Sequence, residues 1–187
     1  MFSKAYSGNT RLLSALLVLV STLLVAVLFA PALSAGARDT DSAKVLEFDT
    51  MAPVSGPFVG NANPIRGFGG GGLPWVIASG SGELSAGGAL EVRVRGLVLD
   101  PADPGVIAAG LAGVNPFNQF AVFVSCLTNT NPQQGTPIAA GLFPATRTGD
   151  MNAETHITLP RPCVAPIVFV TSPTTPARWF ATTGVGK

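Results

Sequence analysis

One histidine, two cysteines and ten carboxylates are what this chain offers for covalent or acid–base chemistry. A serine hydrolase needs a base such as His156 beside a serine and a buried acid, here Asp150 or Asp100. The chain has neither the G-x-S-x-G elbow nor the S-x-x-K motif that would place such a serine. A catalytic zinc site takes two or three nitrogen or sulfur ligands. Glu154 and His156 share a strand face, but there is no second histidine. Glycoside hydrolysis needs two carboxylates across a cleft, and spacing singles out no pair. No catalytic residue, transition metal or cofactor is therefore expected. Calcium accepts oxygen ligands alone. Asp100 and Asp103 in LDPADPG, and Asp150 in GDMN, are its candidates, against the ordinary role of turn aspartates in capping their own backbone.

Binding chemistry has other candidates. Trp75 and Trp179 lie in or near predicted strands, and exposed indoles stack on sugar rings. Their competing role is core packing, where large aromatics dominate. Arg178 beside Trp179 would add a cation–π contact. The proline-flanked Arg161 could be offered to a protease. Gly67-Phe68-Gly69-Gly70-Gly71-Gly72 fits the letters of a dinucleotide-binding loop. That loop needs a strand before it and a helix opening within it. Here Asn63-Pro64 precedes and Leu73-Pro74-Trp75 leads into a strand-like run. The glycines then read as a long connection, mobile or ordered by lying close over another backbone. From Arg38 on, nine Lys or Arg face ten Asp or Glu. No basic stripe exists, so nucleic acid is not an expected partner.

These residues must be carried by a fold, and the leader says where that fold goes. Lys4 and Arg11 precede an uncharged run at 12–30, which Pro31 stops. As a helix the run spans about 28 Å, near the bilayer core of roughly 30 Å. Ala35-Gly36-Ala37 fits a signal-peptidase site. Residues 1–37 are thus a signal peptide cut after Ala37, or an N-terminal hydrophobic helix retained as an anchor. Basic residues before the run direct the downstream chain out of the cytoplasm either way. Membrane contact is expected only through this segment. In an exported chain, Cys126 and Cys163 are most simply one disulfide.

Residues 38–43 read as a tether and 44–187 as one domain. Gly and Pro interrupt nearly every window of twelve, and period-two alternation dominates. In VLEFDT, Leu46 and Phe48 oppose Glu47 and Asp49. PWVIASGSGELS reads as a long strand bent at its glycines, and Ala86-Gly87-Gly88 as a hairpin turn. In ALEVRVRGLVL, Leu90, Val92 and Val94 face inward and Glu91, Arg93 and Arg95 outward. QFAVFVSCLT is apolar on both faces, as a central strand would be. GVIAAGLAGV holds one helical turn or a loop. With the strands GTPIAAGLF, MNAETHITL, PIVFVTS and RWFATTG, this predicts an all-β antiparallel sandwich of about eight or nine strands.

The combination of GELSAGGALEVRVRGL, the two cysteines and CVAPIVFVTS…RWFATTG resembles small exported bacterial β-sandwich proteins of unknown function. Residues 82–97 also carry a short likeness to the chordin-type domain. The resemblance implies an exported β domain and brings no catalytic residues with it. The expected function is a non-enzymatic surface or extracellular module, binding or structural, with an unknown extracellular or cell-surface ligand. The alternatives are a carbohydrate-binding module using Trp75 and Trp179, and an exported hydrolase.

Overall fold

The computed structural model describes residues 40–183. The hydrophobic run, the cleavage position after Ala37 and the start of the tether lie outside the described residues. The strands are β1 (Lys44–Phe48), β2 (Met51–Pro53), β3 (Trp75–Val76), β4 (Ser79–Ser85), β5 (Ala89–Arg95) and β6 (Val98–Leu99). After a short helix α1 (Pro104–Ala108) come β7 (Gln119–Leu127), β8 (Thr136–Pro144), β9 (Met151–His156), β10 (Val164–Thr171) and β11 (Trp179–Thr183). They form a four-stranded sheet, β1-β4-β5-β9, a five-stranded sheet, β2-β11-β10-β7-β8, and the small pair β3-β6. Every strand pairing is antiparallel.

The class is as expected, but the strand count is higher: eleven strands in three sheets among the described residues, not eight or nine. One reason is a shared bend. Trp75 pairs with Leu99 and Glu83 with Glu91, in one register set by the turn at 86–88. The two arms form a single long hairpin that breaks at Ala78 and Gly96. Gly96 takes φ +63°, and a Cβ placed on it would lie 2.8 Å from the Ala78 Cβ. Both arms kink together, so each predicted long strand becomes two.

Alternation explains the core. In β5, Leu90, Val92 and Val94 are buried while Ala89, Arg93 and Arg95 are exposed. In β7, Phe120, Val122, Val124 and Cys126 are fully buried. These residues belong to one hydrophobic cluster fed by both large sheets. Burying each such side chain contributes roughly 1.5–3 kcal/mol. The other face of β7 is covered too: Phe68 packs on Phe123 and Phe169 at 5.2 and 4.9 Å between ring centroids. That double burial is why QFAVFVSCLT lacks polar alternation.

The chain changes sheets at both margins. β1 and β2, separated by Asp49 and Thr50, lie in different sheets, and so do β8 and β9. The order β1-β4-β5-β9, then β8-β7-β10-β11-β2, thereby returns to its start. Corners made by strands that switch sheets are one way two sheets are joined. β8 is the long outer strand of the five-stranded sheet. It carries no charge, contains Pro137 and Pro144, and its pairing with β7 shifts register between Val122 and Phe123.

The cysteines do form a disulfide, which ties the end of β7 to the residue before β10. Val164 pairs with Leu127 across the same two strands, so the bridge reinforces an existing neighbour contact. The last part of the expected tether is held to the domain. The Gly87 and Ala86 amides donate to the carbonyls of Asp41 and Ala43 at 2.8 and 2.7 Å.

Candidate functional site

Several sequence candidates serve the fold. Trp75 and Trp179 are 3% and 2% exposed. Trp75 stacks on Phe180 at 4.0 Å and lies edge-on to Phe120. Trp179 meets the edge of Phe58. Neither indole presents a flat face to solvent, so both take the competing role of core packing, and the alternative of an exposed aromatic platform on Trp75 and Trp179 loses its support. The physical reason is that a two-sheet core of mostly small aliphatics fills its volume with large rings. Arg178 forms no cation–π contact among the described residues; its guanidinium lies against Gly69.

The three aspartates hold turns. Asp100 accepts from the Ala102 amide, and Asp103 caps α1 by accepting from Val106 at 3.0 Å. Asp150 sits at the corner between β8 and β9 and accepts from the Gly96 amide and the Thr148 hydroxyl, both at 3.0 Å. The Gly96 amide, then Thr148, hold its carboxyl below the usual range. Among the described residues no three His, Cys, Asp or Glu side chains come together as a metal site.

The glycine stretch is ordered against backbone. Trp179 donates to the Gly69 carbonyl at 3.0 Å, and Gly71 donates back to Trp179 at 2.9 Å. Gly70 donates to Gly60 at 2.7 Å. A Cβ on Gly70 would collide with the Phe58 carbonyl oxygen. The segment is a backbone layer over the start of β11, one of the two outcomes the sequence left open.

No protein-family model, curated protein or solved structure matches this chain. Functional evidence therefore rests on the surface itself, and one face stands out. Glu47 pairs with Glu83, Glu83 with Glu91, and Glu91 with Glu154. Four glutamates form a single row across all four strands, on the face opposite the core. Strands lie about 4.8 Å apart, so the row runs roughly 14 Å. Like charges directly opposite each other destabilise a sheet. Two cations answer the four acids. Lys44 bridges Glu47 at 3.1 Å and Glu83 at 2.7 Å, and Arg93 pairs with Glu91. The hydrogen bond to Glu83, then that to Glu47, raises the Lys44 pKa above its ordinary value. Glu154 has no cation partner among the described residues. A hollow of about 450 Å³, lined by Glu47, Phe48, Asp49, Glu83, Glu91 and Arg93, lies along one side of the row. A second, of about 270 Å³, lies along the other and is lined by Glu83, Glu91 and Glu154.

The sequence placed Glu91 on an outward face, Glu47 opposite Leu46 and Phe48, and Glu154 on one face with His156, but did not show them as one row. Part of it was within reach. A turn at 86–88 fixes Glu83 opposite Glu91. The outer members needed the pairing of β1 with β4 and β9 with β5, which alternation does not carry.

Proposed function

We propose that this chain is an exported, non-enzymatic binding module, a β-sandwich whose acidic sheet face receives a basic, extended segment of a partner protein. The row of four glutamates carries this reading. A fold departs from local rules most readily where function demands it, and four in-register carboxylates are such a departure. The acids spread along a line and do not converge, which suits several cationic side chains better than a single ion. The leader and the disulfide support export, since disulfides persist in oxidising compartments. The domain is secreted if cleaved after Ala37 and otherwise held outside by residues 12–30. The non-enzymatic reading draws on His156: the groove it lines offers one acid, Asp41, and no serine, fewer groups than a hydrolytic site gathers.

Isothermal titration with an oligolysine peptide tests the proposal. The expected result is saturable binding that weakens about tenfold in an E83Q/E91Q variant, the loss of roughly 1.4 kcal/mol. Equal affinity of wild type and variant, or no binding at low salt, would sink it.

A further inference from the structure

The sole histidine lies outside the glutamate row, in a groove of about 380 Å³ at the far end of the same sheet. Val45, Ile157, Leu159 and Pro160 give this groove apolar walls, and Val45 is 42% exposed. His156 and Arg161 line it as well. Neither side chain has a hydrogen-bond or ion-pair partner among the described residues. Asp41 is the one acid in the lining. The walls are anchored: Ile157 donates to the Gly88 carbonyl at 2.9 Å, Gly87 donates to Asp41, and Cys163 is bridged to Cys126. Small-molecule pockets are mostly apolar, largely preformed and about 300–1,000 Å³, with a few polar groups that orient the ligand. This groove has each of those properties.

We infer that the groove binds a small amphipathic monoanion, an apolar body carrying one carboxylate, with Arg161 and His156 taking the charged end. Charge complementarity selects this class. An unpaired guanidinium beside an apolar wall favours a carboxylate, which it meets with two parallel N–H donors. Asp41 on the same rim repels a second negative charge, so a dianion such as a phosphate monoester fits less well. The apolar wall needs an apolar body, which excludes a bare inorganic ion. The site is distinct from the glutamate row and does not depend on it.

The chain's single histidine makes the test direct, because its imidazole C–H resonances report on this groove alone. The full chain is titrated with octanoate at fixed pH and followed by proton NMR. The expected result is a saturable shift of the imidazole signals, with affinity about tenfold weaker in R161Q, the loss of one charge-assisted contact. Octan-1-ol should shift the signals far less, and E83Q/E91Q should bind octanoate as wild type does. An unchanged thermal transition in R161Q shows that folding is intact. Imidazole signals that do not move, an equal response to the alcohol, or undiminished affinity in R161Q overturns the inference.

Discussion

Replacing Asp150 with alanine removes the acceptor for the Gly96 amide at the hairpin bend. The loss should cost about 1.5–3 kcal/mol, the worth of a hydrogen bond to a charged group, and chemical denaturation measures it. The pH dependence comes from the depressed pKa. Asp150 adds stability above the pKa of the unfolded chain, near 3.9, and that stability is lost as pH falls through the folded value. Thermal melts below pH 4 should therefore drop more steeply in wild type than in D150A. A second residue-scale contrast lies in the glycine stretch. G70A forces a methyl into the Phe58 carbonyl and should destabilise by about 2–3 kcal/mol. G72A meets nothing within 4 Å and should stay within about 0.5 kcal/mol of wild type. At this scale the sequence was uneven. It marked Asp150 as a turn residue, because aspartate chemistry is local. It did not mark Gly70 apart from Gly72, because what separates them is a backbone arriving from residue 58.

Among the elements, the long hairpin was the most legible. Its turn, register and inward set Leu90, Val92 and Val94 all derive from local alternation. A bend was expected in the first arm at its glycines, Gly80 and Gly82; its place at Ala78 and Gly96 was not legible, because the corner that fills it, with Gly149 pressed on Leu97, comes from far along the chain. The acidic row belongs to this scale as well. Glu154 faces Glu91 with no cation of its own among the described residues, so E154Q should raise stability by about 0.5 kcal/mol, read as a shift in the urea midpoint at unchanged slope. A destabilised E154Q would mean that the row is held by contacts other than those described. The disulfide closes a loop of 37 residues that contains β8 and β9. Replacing both cysteines by alanine should cost about 4 kcal/mol by the loop-entropy model, measurable against wild type in guanidinium.

At the scale of the whole molecule, one face is acidic while the chain from Arg38 on is close to neutral, nine basic residues against ten acidic. Under the proposed function, attraction of a cationic partner would rest on a local field and not on net charge. Oligolysine binding should weaken strongly between 20 mM and 300 mM salt, as the screening length falls below about 10 Å, and anisotropy titrations would show it. Composition and period-two patterning made the β class readable. They did not give the count of eleven or the sheet switches at β1/β2 and β8/β9. Those depend on which margins meet, a property of the assembled chain and not of any window of it.

The margins have a consequence for life in a crowd. Exposed strand edges are where folded chains zip onto one another. Here the strand order turns back on itself, and the longest outer strand, β8, contains two prolines that offer no amide for such a ladder. In copies of this domain packed side by side, a ladder along β8 would break at Pro137 and Pro144, and the acidic faces would repel one another.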